Sequence, residues 1–376
     1  MIYLDSAATS FQKPASVRSA VMRAMQTMSS PGRGGYFSSR AAEETLFRCR
    51  TLAAETFGLE GPERVVFTAS ATHALNLAIK SLARRGSRVV ISGYEHNAVT
   101  RPLHAVGAQV VLAGAPLFDD AACLAAFARE LSKGADAAVC TAASNVFGWV
   151  LPLTDIAALC RSAGVPLIVD AAQSAGVLPL DMGNLGAAFA AMPGHKGLYG
   201  PQGTGLLLCA GEPEPLLEGG TGSESLRQEM PDFLPDRLEA GTHNVPGIAG
   251  LEAGIRFVRE TTPERILRHE RELLLRAAKG LSQLGSVRTY LAADPSRQLG
   301  VLSFTVEGWE SEAVAEALAG RGIAVRAGLH CAPTAHRTAG TLEGGTVRIS
   351  FSAYNKREEI DIFLRAMRGI AAAKRP

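Results

Sequence analysis

Lys196 sits in the run Pro193-Gly194-His195-Lys196-Gly197-Leu198-Tyr199-Gly200-Pro201-Gln202-Gly203-Thr204-Gly205, a glycine-rich loop almost free of other charge. Desolvation lowers an amine's pKa and frees it for Schiff-base chemistry. A plain turn lysine is the competing reading. Asp170 ends the apolar run Pro166-Leu167-Ile168-Val169. A carboxylate there can pair with a cationic heterocycle nitrogen or simply cap the next helix, and Gln173 can reach the same face. Thr68-Ala69-Ser70-Ala71-Thr72-His73 is a small-residue turn opening a helix. Its free N–H groups suit a phosphate, although capping alone explains such a sequence. Cys331 lies in the polar loop Arg326-Ala327-Gly328-Leu329-His330-Cys331-Ala332-Pro333. Cationic neighbours stabilise a thiolate, and Arg326 and His330 are the nearest in sequence. A zinc set of His330, Cys331 and His336 lacks a fourth ligand at metal spacing, so no metal is expected. Glu95-His96-Asn97-Ala98-Val99 adds an imidazole, and Asn145 follows the next apolar run. Arg348, inside an apolar run of its own, needs a partner, and a substrate carboxylate suits its bidentate fork.

These residues require elements to hold them. Val65–Thr68, Arg88–Ser92, Val110–Leu112, Ala137–Thr141, Pro166–Asp170 and Gly205–Cys209 read as strands. Helical stretches at Ala71–Arg84, Val99–Ala105 and Asp155–Ala163 alternate with them. Strands separated by helices need parallel crossovers, so an α/β sheet with helices on both faces is expected. Ligands of such sheets bind at the carboxyl ends of strands, which is where the candidate residues fall. From about Thr261 the texture changes. Pro263–Leu284 is a charged amphipathic helix with Thr262 as N-cap. Leu299–Thr305, helical Ser311–Ala319, Ile323–Arg326, Gly345–Ser350 and helical Lys356–Ile370 follow, the order of a smaller α+β domain. The expected division is a large domain at 15–254 and a small one formed by 1–14 and 255–376.

The length suggests two domains. With 47% hydrophobic and 20% charged residues, the chain can bury a large core. The 38 basic and 36 acidic residues leave +2, too little to draw nucleic acid or anionic lipid. Gly is frequent, 39 residues, without a repeat or low-complexity tract, which fits turns and close backbone approaches rather than disorder. The stretch from Ala137 to Thr154 carries no charge but contains Ser144, Asn145, Gly148 and Pro152, so a buried strand and a polar loop are expected, not a membrane span. The six cysteines form no C-x-x-C pair, and five lie in apolar or helical contexts. With no secretory signal at Met1-Ile2-Tyr3-Leu4-Asp5, the expected location is cytoplasmic.

Phosphate cradle, pyridinium partner, Schiff-base lysine, thiol nucleophile and carboxylate clamp together are what an enzyme using pyridoxal 5'-phosphate needs. The chain resembles the cysteine desulfurase and selenocysteine lyase family, within the class V aminotransferase group of fold-type I pyridoxal-phosphate enzymes. The resemblance rests on Tyr3-Leu4-Asp5-Ser6-Ala7-Ala8-Thr9, the Thr72 turn, Glu95-His96, Asp170-Ala171-Ala172-Gln173, His195-Lys196-Gly197-Leu198-Tyr199-Gly200-Pro201 and Glu239-Ala240-Gly241-Thr242. It continues through the Cys331 loop to Arg348-Ile349-Ser350. It implies the PLP-dependent transferase-like fold, with a mainly parallel sheet flanked by helices and a smaller α+β C-terminal domain.

By that resemblance, Lys196 holds the cofactor, Asp170 pairs with its ring nitrogen, Gln173 contacts its phenolic oxygen and His96 stacks on its face. Ala71, Thr72 and His195 bind the phosphate, with Thr242 reaching it from the partner subunit of a homodimer. Arg348 clamps the substrate carboxylate with Asn145, Ala8 belongs to the same substrate site, and Arg33 is donated by the neighbouring chain. The implied reaction converts L-cysteine to L-alanine and leaves the sulfur on Cys331 as a persulfide for an acceptor protein or small thiol. L-Selenocysteine is a second candidate substrate. The alternative is a selenocysteine lyase or another class V lyase or aminotransferase in which Cys331 is not the nucleophile. Two departures stand out: Met192 and Pro193 occupy the stretch where the family often has a phosphate-binding serine, and only Ala332 to Val347 separate Cys331 from Arg348. The second resembles the branch with its cysteine in a tight loop rather than on a long mobile arm.

Overall fold

The computed structural model describes residues 1–32 and 34–372, so Arg33 lies outside the described residues. In chain order the first part comprises β1 (Ile2–Tyr3), α1 (Ala15–Thr27), α2 (Phe37–Phe57), β2 (Val65–Thr68), α3 (Ala71–Leu82), β3 (Arg88–Ser92) and α4 (Asn97–Ala105). Next come β4 (Gln109–Ala113), α5 (Asp120–Leu131), β5 (Ala137–Thr141), α6 (Leu153–Ser162), β6 (Leu167–Asp170), α7 (Met182–Leu185), β7 (Phe189–Pro193) and β8 (Gly205–Cys209). The remainder is α8 (Val245–Thr261), α9 (Pro263–Leu281), β9 (Val287–Tyr290), β10 (Val301–Val306), α10 (Ser311–Ala319), β11 (Ile323–Ala324), β12 (Arg326–Gly328), α11 (Pro333–Ala339), β13 (Thr346–Ser350) and α12 (Arg357–Ala372).

Seven strands form the large sheet, in the order β2-β8-β7-β6-β5-β3-β4. All neighbours pair in parallel except β8, which runs antiparallel to β2 and β7. The sheet is thus mixed and mostly parallel. Its strands alternate between two cores: Leu167 and Val169 pack on one face, while Ile168 packs on the other. Burial of both faces is what a sheet crossed by helices requires. Helix α3 covers β7 and β8, and α1 and α2 pack on α8.

The second sheet, β12-β13-β10-β9, is antiparallel. Its core joins Leu302, Phe304 and Ile349 to Leu274 of α9 and Phe363 of α12. Thr262 caps α9 as expected, its side chain accepting the Arg265 N–H. The single strand expected at Ile323–Arg326 is instead two. β11 pairs in parallel with β1, and β12 turns into the four-stranded sheet. The chain start is thereby built into this half of the molecule. Helix α8 runs through position 254, carrying the chain between the two halves without a break.

Candidate active site

One cleft opens at the carboxyl ends of β5 and β6. Ala71, Thr72, His96, Asn145, Asp170, Gln173, His195 and Lys196 all line it. The first turn of α3 supplies one wall. Ser70 is its N-cap, with Oγ accepting the His73 N–H at 3.2 Å. Ala71 and Thr72 line the cleft ahead of the first intrahelical N–H bond, at Ala74, so their N–H groups suit an anion.

Asp170 ends β6 and is 3% exposed. Its Oδ1 accepts the Ala172 N–H at 2.9 Å. Burial raises its pKa, opposed by that hydrogen bond and by Lys196. Lys196 follows β7 in a loop pressed against residues 175–176. A Cβ on Gly176, whose φ is +85°, would meet the Gly197 carbonyl at 2.2 Å, and one on Gly197 would meet the Ala175 carbonyl at 2.3 Å. Both positions therefore exclude any side chain. Burial pushes the Lys196 amine down to about 8, against the opposing pull of Asp170.

His96 caps α4. Its Nδ1 accepts the Ala98 N–H at 3.0 Å, so the proton of the neutral ring belongs on Nε2. Burial and then the charge of Lys196 push it down to about 4. His195 is likewise pushed down to about 4, by burial and then Lys196, and its buried Nδ1 has no hydrogen-bond partner among the described residues. Gln173 donates Nε2–H to the Ala7 carbonyl at 3.0 Å, and the Ala8 N–H is bound to the Asp5 carbonyl at 3.0 Å.

The cysteine loop abuts this cleft. The Asn97 N–H donates to the Cys331 carbonyl at 2.7 Å, and Asn145 Nδ2 to the His330 carbonyl at 2.8 Å. His330 and Cys331 both hold left-handed backbone, at φ +49° and +56°. Such geometry costs energy in residues with a Cβ and turns up at functional sites. Cys331 is the exposed one of six free cysteines. Arg326 Nη2 lies 4.0 Å from its Sγ. His330 corrects an expectation, for it brings no charge to the thiol. It is buried, its Nε2 faces the Thr346 carbonyl at 3.1 Å, and burial followed by Arg348 pushes it down to about 2.

Arg348, 2% exposed, stands opposite Arg326 in the small sheet. The partner expected for it exists within the chain. Nη2 donates to Asp5 Oδ1 at 2.7 Å and Nη1 to the Asn145 carbonyl at 2.8 Å, while Nε is buried without a partner among the described residues. Thr242 does not reach the Lys196 cleft of its own chain. It lines a different hollow, with Thr68, His73, Glu239 and His243.

Sequence reasoning passed over Asp5 and Glu95 as working side chains. Glu95 is fully buried, accepts Ser92 Oγ at 2.6 Å and the Thr141 N–H at 2.8 Å, and so ties the end of β3 to β5. Its position beside His96 was the available signal, since a carboxylate in an apolar stretch needs donors.

Residues 2–363 match the family described as Aminotransferase class-V. The chain belongs to that family. A class-V relative from Mycolicibacterium paratuberculosis, named probable cysteine desulfurase, is 35% identical over 99% of this chain. This chain spans about half of that relative's length, 55%. A protein of the same name from Methanothermobacter thermautotrophicus is 32% identical over 98% of this chain and 94% of its own. Among solved structures, the apo cysteine desulfurase from Thermococcus onnurineus superposes with a TM-score of 0.89 at 31% identity, covering 98% of this chain and 94% of that one. No helix among the described residues is long and apolar enough to cross a membrane.

Proposed function

We propose that this class-V chain is a PLP-dependent cysteine desulfurase, forming L-alanine and a persulfide on Cys331. One observation carries the reading. Asn145, which lines the Lys196 cleft, donates to the His330 carbonyl, and the Asn97 N–H, next to His96, donates to the Cys331 carbonyl, which supports reading thiol and amine as one site.

The residues present fit pyridoxal phosphate. First-turn N–H groups of α3 suit its phosphate. The buried Asp170, with one oxygen held by Ala172, suits its ring nitrogen, and the unpartnered buried Nδ1 of His195 awaits a donor or acceptor. Lys196 would hold it through Nζ, with His96 against its face, Gln173 near its phenolic oxygen, and Thr242 of a partner subunit near the phosphate. When bound, the group withdraws electrons from the substrate α-carbon.

The chain's residues do the rest. Arg348 and Asn145, beside Ala8, hold the substrate carboxylate, and Asp5 keeps the Arg348 fork oriented. Lys196, an amine brought near neutral pH by burial, carries the α-proton. Cys331 Sγ, beside Arg326, attacks the substrate sulfur. An S–S bond forms and the C–S bond breaks. Its electron pair stays with carbon, which takes a proton and becomes the methyl group of alanine. The sulfur then passes to an acceptor protein or small thiol.

The accompanying assignments follow from the same reading: a homodimer, a cofactor-binding lobe at 15–254, a small lobe from 1–14 and 255–376, and a cytoplasmic location, which suits six unpaired thiols. The test is anaerobic incubation of the cofactor-loaded protein with L-cysteine and, separately, L-selenocysteine. Alanine should appear, and the Cys331 peptide should gain the mass of one sulfur after cysteine. Alanine formed equally by Cys331→Ser would overturn the role of the thiol in favour of a lyase or aminotransferase that does not use it.

A further inference from the structure

The carbonyl oxygen of His195, one peptide before the reacting lysine, is approached by four donors. They are the Ser10 N–H at 3.0 Å, Thr9 Oγ1 at 3.1 Å, Ser10 Oγ at 3.0 Å and Lys13 Nζ at 2.9 Å. A carbonyl oxygen offers two lone pairs. Ser10 Oγ also accepts from Lys13 Nζ at 2.6 Å and lies 3.0 Å from the Lys196 carbonyl. A hydroxyl has one proton to give. With Lys13 and the Ser10 N–H on the His195 oxygen, the Ser10 hydroxyl can serve the Lys196 oxygen. The two peptide carbonyls flanking the lysine α-carbon are then held from one side.

Lys13 is an unusual residue to find there. It is half-buried and forms no ion pair with a carboxylate among the described residues, and burial pushes its ammonium down to about 8. Both its hydrogen bonds go into the clamp. Charged hydrogen bonds are shorter and stronger than neutral ones, so this donor holds the carbonyl harder than a hydroxyl could. The same segment reaches the other half of the molecule. β1 pairs with β11, the Tyr3 carbonyl accepts from Asn355, and Asp5 grips Arg348.

We propose that Lys13, acting with Ser10, is a positioning residue for Lys196. Its charged hydrogen bond to the preceding carbonyl fixes the direction in which the Lys196 side chain leaves the backbone. The role rests on the reading above in which Lys196 moves the substrate proton. Misplacing a reacting group by about 1 Å can cost on the order of 100-fold in rate. The loss should fall on the chemical step, because Arg348 still holds the substrate.

The experiment uses the cofactor-loaded protein and the variants Lys13→Met, Lys13→Arg and Ser10→Ala. Lys13→Met should raise deuterium uptake several-fold across residues 194–200 and leave residues 137–141 of β5 unchanged. It should lower kcat for L-cysteine about tenfold or more, with KM nearly constant. Lys13→Arg, which keeps charge and donors, should recover most of both, and Ser10→Ala should move both in the same direction by less. The proposal is overturned by wild-type uptake across 194–200 in Lys13→Met, by kcat and KM worsening together, or by equal loosening of 137–141. If Lys13→Met does not fold, Ser10→Ala is judged by the same three criteria. Should no form of the protein produce alanine from cysteine, the desulfurase reading fails, while the uptake comparison still decides the clamp.

Discussion

At the scale of single residues, the site is a set of groups whose charge states are fixed by what surrounds them. His96 and His195 are both held neutral at pH 7, by burial first and then by the charge of Lys196. Around Cys331 the same physics selects one cation. Arg326 sets its guanidinium 4.0 Å from the sulfur, whereas His330 is buried and neutral. Arg326→Gln should therefore slow alkylation of Cys331 by iodoacetamide several-fold at pH 7, measured by mass spectrometry of the labelled peptide; an unchanged rate would leave the thiol without an identified electrostatic aid. Cys331→Ser should abolish sulfur capture and lower alanine formation from L-cysteine by at least about 100-fold, read by amino-acid analysis. Lys196, Asp170 and Cys331 could be singled out because each differs in type from its neighbours, and the structure sets Lys196 and Asp170 in one cleft that the Cys331 loop abuts. The fate of His330 was not, since whether an imidazole meets water or a packed Thr346 depends on how β12 and β13 come together.

At the scale of elements, strands with a clear apolar run and helices with a clear stripe could be read from order alone. α10 and α9 fall where periodicity and the Thr262 cap put them, as do β2, β3, β5 and β8. β7 was not legible. Phe189-Ala190-Ala191-Met192-Pro193 is buried on both faces, so it has no alternation, and it is built of small residues with a terminal proline. The Ala-rich α5 was hidden for another reason: it buries Cys123, Ala126, Phe127 and Leu131, but Ala121, Ala125 and Ala128 on its exposed side blur the stripe. What sequence cannot supply is the pairing order, because β2 and β8 lie side by side although most of the sheet separates them in the chain. Glu95 shows what such pairing demands. Joining β3 to β5, its carboxyl is pushed by burial from 4.5 to about 8. Its folded pKa is raised, so its contribution to stability is complete below about pH 4.5 and is lost as pH rises through about 8. Glu95→Gln should flatten that dependence, removing roughly 3 kcal/mol of the stability change between pH 5.5 and 8. Urea unfolding at the two pH values measures it, and parallel slopes for variant and wild type would contradict the assignment.

For the whole molecule, the separation of Thr242 from its own Lys196 cleft is the feature with most consequence for assembly. If a second subunit supplies it, two defective chains can repair each other. Lys196→Ala and Thr242→Val homodimers should each lose most activity. Subunits mixed by mild denaturation and refolding should regain about a quarter of wild-type activity, since half the dimers are hybrids with one intact site of two. No recovery on mixing, with hybrid formation verified by mass, would mean that Thr242 acts within its own chain or not at all.

The parallel pairing of Ile2–Tyr3 with Ile323–Ala324 sets a timetable for synthesis. A ribosome releases these partners more than three hundred residues apart, so the first strand must wait, unpaired, until Ile323 and Ala324 have emerged. The large sheet can assemble while translation continues. The amine pocket, closed by that waiting segment, can be finished only afterwards, and the coenzyme would meet a mature receptor late in the protein's birth.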